Sequence, residues 1–238
     1  MKNSLNEFDI SYVLKELSEK RPLFHNERDL QFELALKIRE LYNCDIRLEY
    51  YYGNESDGKR CYIDIVAIDR GNNICILFEL KYKTKKFSNT LNGEYFSLYQ
   101  HNARDQGCVY IHSDLQRLEN LCINKEKING LDILKAYVVF ITNDKGYQKE
   151  FGKNTAFAEF ALNNQKCIEG SPRFLNSSTG EKYTKEEIKA GKLSSAKRFD
   201  SLNLDYKYTY LIEWKEYSKL TDKAKAYQLV FEIPPKNK

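Results

Sequence analysis

Three charged residues interrupt two of the most apolar stretches of the chain: Asp64 in CYIDIVAID, and Glu79 and Lys81 in ICILFELKY. A carboxylate in apolar surroundings either raises its pKa or acquires a cation. Two carboxylates side by side suit a hard divalent ion. Mg²⁺ characteristically takes one or two of them and completes its shell with waters and phosphate oxygens. Water on such an ion becomes a better nucleophile, and the phosphoryl oxygen is polarised. An ammonium on the same face orients that water or offsets charge growing on the phosphate. These residue types therefore suit metal-assisted phosphodiester hydrolysis. The competing reading is a structural Asp64–Lys81 salt bridge with Glu79 on a solvated edge, but a buried ion pair seldom repays its desolvation by itself.

Spacing decides whether the three can meet. Residues two apart on a strand share a face, so Glu79 and Lys81 project together while Ile76, Phe78 and Leu80 face the other way. The polar RGNN between the two runs predicts a hairpin. A turn centred near Gly71 and Asn72 sets Asp64 opposite Glu79.

The elements that must hold this hairpin follow from periodicity. FDISYVLKELSEK carries Ile10, Val13, Leu14 and Leu17 at helical spacing until Pro22 interrupts it. NERDLQFELALKIRELY predicts a second helix, with Asn26 as N-cap, Glu27 and Asp29 in the first turn and an apolar stripe of Leu30, Leu34, Ile38 and Leu41. DIRLEYYYG predicts a strand ahead of the two already described. KTKKFSNTLNGEYFS reads as a polar loop, followed by helical spacing from about Leu98 to Cys122. LKAYVVFITND predicts a further, well-buried strand. A helix between the third and fourth strands implies a crossover and at least one parallel pair. TAFAEFAL reads as a short helix and FLNSSTGEKYTKEEIKAGKLSSAKRFDSLNL as loop. YKYTYLIEWKEY and AKAYQLVFEIP read as two late strands.

The Asp64, one-hairpin gap, Glu79-Leu80-Lys81 arrangement resembles the PD-(D/E)xK nuclease superfamily. Ile63 stands where the motif's proline would be. The resemblance covers residues 26–144. It implies an α/β fold with a mixed central sheet, built on an αβββαβ restriction-endonuclease-like core with a C-terminal β-containing elaboration. Residues 1–150 would form that core with its N-terminal helix. Residues 151–238 would pack on it without forming an independent domain. The implied activity is a nuclease using Mg²⁺ or Mn²⁺, in a restriction, defence or DNA-processing context. Asp64 and Glu79 would be metal ligands and Lys81 the catalytic lysine.

Members of that superfamily often add a carboxylate from the first core helix. Glu27 and Glu33 are the candidates. Glu27, with Gln31 one turn later on the same face, is preferred as catalytic residue and metal ligand, although a helix-dipole role explains Glu27 equally simply. Gln31, Lys83, Gln100 and Arg104 are the candidate nucleic-acid contacts. Gln100 and Arg104 would share one face of the crossover helix, and Arg104 can grip a phosphate bidentately. Lys81, Lys83, Lys85 and Lys86 form a basic run leaving the third strand. Arg117 with Asp114 reads as an ordinary surface ion pair, and His101 as a helix-surface residue near the site.

Composition bounds the rest. A net charge of +4 permits an anionic partner without demanding one. Six scattered cysteines with no CxxC pair argue against a structural zinc site. No apolar run approaches the roughly 18 residues of a membrane span. The opening segment is charged throughout, with no h-region, so a cytoplasmic location is expected. Expected partners are nucleic acid, DNA in the first place, and a second copy of the chain or a partner protein of a defence system. The competing function is a catalytically idle nucleic-acid-binding or assembly module on the same fold.

Overall fold

Two helices open the chain, each started by a side chain that satisfies orphan backbone donors. In α1 (Ile10–Lys20), Asp9 accepts from the N–H groups of Ser11 and Tyr12. In α2 (Glu27–Leu41), Asn26 accepts from Asp29 N–H at 3.0 Å. The buried stripes are Ile10, Val13, Leu14 and Leu17 in α1, and Leu30, Leu34 and Ile38 in α2. The computed structural model describes residues 2–54, 60–125, 127–153, 155–199 and 202–235.

Strands β1 (Asp45–Asn54), β2 (Arg60–Asp69) and β3 (Ile74–Lys83) follow as an antiparallel meander. A short ribbon, β4 (Phe87–Leu91) and β5 (Glu94–Leu98), precedes α3 (Arg104–Asn120). Then come β6 (Lys127–Ile128) and the long β7 (Leu131–Thr142), and later β8 (Cys167–Gly170), α4 (Lys185–Lys189), β9 (Tyr206–Leu211), β10 (Lys215–Lys219) and β11 (Lys225–Ile233). Among the described residues the central sheet has the order β1-β2-β3-β7-β11-β10, with β6 also on β7. The β3–β7 pair is parallel and the other pairs antiparallel, so the fold is mixed α/β with a mixed central sheet.

The chain divides into two compact units. One comprises Met1–His101, Arg117–Asp144 and Trp214–Lys238, and holds α1, α2 and the central sheet. Its core packs α1 and α2 on one sheet face, through Ile65 and Ala67 of β2, Ile76, Phe78, Leu80 and Tyr82 of β3, and Tyr137, Val139 and Ile141 of β7. The other unit comprises Asn102–Gln116 and Lys145–Glu213. It pairs β8 with β9 and buries an aromatic group including Phe157, Phe160, Phe174 and Phe199. No helix among the described residues is long and apolar enough to cross a membrane.

Three stretches correct the sequence reading. YKYTYLIEWKEY is two strands, β9 pairing with β8 and β10 pairing with β11, and FLNSSTGEKYTKEEIKAGKLSSAKRFDSLNL contains α4. KTKKFSNTLNGEYFS contains a hairpin, not only loop, and α3 starts at Arg104 rather than near Leu98. Asn92 and Gly93 both take positive φ, 50° and 83°, the requirement of a two-residue turn matched to strand twist. Phe87, Phe96 and Leu98 alternate inward against Ser88, Thr90, Tyr95 and Ser97 outward. The polar half of that alternation makes the whole stretch resemble a loop.

Candidate active site

The β2–β3 ladder runs from Asp69↔Ile74 to Ile65↔Phe78 and then stops. Beyond it β2 stays with β1 and β3 stays with β7. The two central strands therefore fork, and β3 backbone donors facing β2 need other partners. Side chains provide them. Asp64 Oδ2 accepts from Leu80 N–H at 2.7 Å, and Glu27 Oε2 accepts from Tyr82 N–H at 2.8 Å.

Asp64, Glu79 and Lys81 share one face of the sheet. Their neighbours Ile65, Phe78 and Leu80 are committed to the α1/α2 core, so alternation turns the three toward the opposite side. Glu79 is only 2% exposed, whereas Asp64 and Lys81 are half-buried.

Helix α2 meets the fork from the core side. Glu27 reaches Tyr82 as described, and Gln31, one turn on, donates from Nε2 to the Asp64 carbonyl at 2.8 Å and to Glu49 Oε1 at 2.9 Å. Gln31 is 9% exposed, so its amide holds the Asp64 backbone rather than standing ready for a phosphate. Glu33 lies apart, within 3.9 Å of Arg21. Glu49 is a residue that strand patterning does not single out. Its φ of 48° is left-handed backbone opposite Asp64, between the Leu48↔Ile65 and Tyr50↔Ile63 pairs.

Arg117 is the other unforeseen participant, and it corrects its reading as half of an ordinary surface ion pair with Asp114, since its guanidinium engages the buried Glu79. Nη2 lies 2.8 Å from Glu79 Oε2, and Nη1 donates to the Tyr62 carbonyl at 2.7 Å. The guanidinium thus bridges β2 and β3 across the fork. Nothing in its spacing marks it, because it sits on a helix remote in sequence from both strands. Nearby, burial pushes the Tyr52 hydroxyl up to about 12, an effect that the charge of Arg117 opposes.

The end of β3 is capped by a rigid turn. Thr84 N–H donates to His101 Nδ1 at 2.8 Å, Thr84 Oγ1 donates to the Tyr99 carbonyl at 2.6 Å, and His101 N–H donates to the Thr84 carbonyl at 2.7 Å. Nδ1 is therefore the acceptor nitrogen. Burial, then the charge of Lys83, hold the imidazole below its usual pKa, against the opposing pull of Glu27. Lys83 is half-buried, and Lys85 and Lys86 are exposed.

Two expected contacts do not share a helix face. Gln100 lies in the coil before α3, donating to the carbonyl of His101. Arg104 begins α3 in the second unit, close against Gly146, where an added Cβ would come within 2.6 Å of the guanidinium. Leu98 is drawn into the β4–β5 hairpin, and Ala103 takes a φ of 58°, which no helix accommodates, so helical geometry stops between Gln100 and Arg104.

Among the described residues no group of three or more His, Cys, Asp or Glu side chains is arranged to hold a metal ion. A two-carboxylate set is the alternative, and Asp64 with Glu79 has the hard oxygen chemistry that Mg²⁺ takes when waters and phosphate complete its shell. Glu27 already gives one oxygen to the backbone of β3. A scan against protein-family models, a search of curated proteins and a search of solved structures each found no match to this chain.

Proposed function

We propose that the protein is a metal-dependent phosphodiesterase acting on nucleic acid, DNA in the first place, with a core of the PD-(D/E)xK kind. The fork carries this reading. Two carboxylates and an ammonium share one face where two central strands part, and side chains from α2 and α3 hold the opening. A salt bridge on a continuous sheet needs no such opening. The order α2, β1, β2, β3, α3, β7 supports an αβββαβ core, with the β4–β5 ribbon as an insertion.

Asp64 and Glu79 would hold Mg²⁺ or Mn²⁺. When bound, the ion supplies Lewis acidity and a more acidic water. The chain's residues set the geometry. The Leu80 N–H and the Gln31 amide fix Asp64, Arg117 fixes Glu79, and Glu27 fixes the backbone of β3 beside Lys81. Lys81 orients the attacking water and offsets charge on the phosphate. Hydrolysis forms one P–O bond to water oxygen and breaks one P–O bond, with a water proton passing to the departing oxygen.

The test is cleavage of single-stranded, duplex and branched DNA, and of RNA, in Mg²⁺. Asp64→Asn and Lys81→Ala are each expected to lose about a hundredfold or more in rate. Wild-type rates from either variant would end this assignment.

The Arg117–Glu79 pair favours a second reading, a catalytically idle module. A carboxylate already neutralised by a guanidinium does not require a metal. Titration calorimetry with Mn²⁺ separates the two. Heat that disappears in Asp64→Asn supports the enzyme, and no heat in the wild type supports the module.

A further inference from the structure

The β4–β5 ribbon presents a face that the proposed chemistry does not use. Pairs Ser88↔Ser97 and Thr90↔Tyr95 point outward, opposite Phe96 and Leu98, which enter the core. Tyr95 is 62% exposed and Tyr99, just past the ladder, 83%. No other large apolar or aromatic side chain among the described residues exceeds 53%. The two most exposed rings thus stand four residues apart, Tyr95 in β5 and Tyr99 one residue beyond its end.

The ribbon is anchored at both ends. At its tip, Glu94 accepts from Arg21 Nη1 at 2.6 Å and lies 2.8 Å from His25 Nε2. The His25 ring stacks on Phe96 at 4.8 Å between centroids. At its foot, Thr84 holds the Tyr99 carbonyl and is clasped by His101. Exposed rings on a fixed backbone offer stacking surface at small ordering cost.

Charge selects the occupant. The outward face carries hydroxyls and no carboxylate, since Glu94 is engaged at the tip. Lys85 and Lys86 are exposed where β3 leads into the ribbon. A basic foot with successive stacking rings fits unpaired nucleic acid, whose phosphates meet lysines and whose bases have free π-faces. A duplex keeps its bases stacked on one another and has no use for the rings.

We propose that the β4–β5 ribbon is a platform for single-stranded nucleic acid, with Tyr95 and Tyr99 stacking bases and Lys85 and Lys86 meeting phosphates. This rests on the phosphodiesterase reading and names its substrate as unpaired strands delivered toward β3.

Fluorescence anisotropy with labelled oligo-dT and with the oligo-dA·oligo-dT duplex, in EDTA, tests the platform without cleavage. The wild type is expected to bind oligo-dT more tightly than the duplex. Tyr95→Ala and Tyr99→Ala should each weaken oligo-dT binding by about tenfold, with duplex binding unchanged. Tyr99→Trp should restore it. Lys85→Ala and Lys86→Ala should each lower the salt slope by about 0.7. Unchanged oligo-dT affinity in both tyrosine variants, equal losses on the duplex, or no oligo-dT binding by the wild type overturns the platform. Cleavage in Mg²⁺ is scored separately. Cleavage with tyrosine-independent binding removes the platform alone, and tyrosine-dependent binding without cleavage removes the nuclease alone.

Discussion

Arg117 Nη2 lies 2.8 Å from Glu79 Oε2 while its other terminal nitrogen holds the Tyr62 carbonyl. One guanidinium thus neutralises the most buried acid of the site and ties together the two strands that part there. Removing one partner of a buried pair leaves an uncompensated charge. Arg117→Ala should cost about 2–4 kcal/mol in urea unfolding. The double variant Arg117→Met with Glu79→Leu should regain most of that loss while remaining inactive. Unchanged stability in Arg117→Ala would show that the pair carries no weight.

Asp64 has a structural duty beside the chemical one proposed for it, and two substitutions separate them. Asp64→Ala strands the Leu80 N–H and should cost about 1–3 kcal/mol as well as cleavage. Asp64→Asn keeps an acceptor oxygen for that N–H and should lose cleavage with little change in melting temperature. If both melt alike, the Asp64–Leu80 bond does not matter to the fold.

Glu27 is testable in the same way. Its Oε2 accepts from Tyr82 N–H, a role that glutamine reproduces. Glu27→Gln should keep stability within about 0.5 kcal/mol, and Glu27→Ala should lose about 1 kcal/mol. Cleavage by Glu27→Gln near the wild-type rate marks Glu27 as a positioning residue. A loss of a hundredfold marks it as a metal ligand.

Acid should destabilise the protein through His112. Burial, with Lys166 adding to it, pushes this imidazole down to about 3, from an ordinary value of 6.5. Its Nδ1 lies 2.9 Å from the Tyr206 hydroxyl, which donates to the His112 carbonyl. As pH falls below about 6.5 the unfolded chain takes up a proton that the folded chain refuses. Stability is therefore full above that pH, declines toward about pH 3 and then levels, a loss on the order of 5 kcal/mol. His101, also lowered, acts in the same direction. Urea unfolding across pH 3–8 should show a shallower slope in His112→Gln than in the wild type. Parallel curves would assign the acid sensitivity elsewhere.

Local pattern reaches a definite distance in this chain. Helices α1 and α2, the Asn26 cap and the three-strand meander are legible because each depends on periodicity, capping or a tight turn within a few residues. A parallel pair is legible for a different reason, the helix between the third and fourth strands, which forces a crossover. So is the common face of Asp64, Glu79 and Lys81, since the RGNN turn sets a register that the Ile65↔Phe78 pair obeys. The β4–β5 ribbon carried its own Asn92-Gly93 turn, but its outward hydroxyls hid the alternation.

What the amino-acid order determined by itself, then, is which elements form and which side chains share a face, because backbone geometry ties both to near neighbours. Tertiary structure alone decided that β2 and β3 part after Ile65 and Phe78. It also decided that Gln31 holds the Asp64 carbonyl, that Glu49 turns left-handed opposite it, and that Arg117 closes on Glu79. Those contacts join residues separated by tens of positions. They arise from satisfying backbone donors and a buried charge at a fork, a demand that exists only once the sheet has assembled.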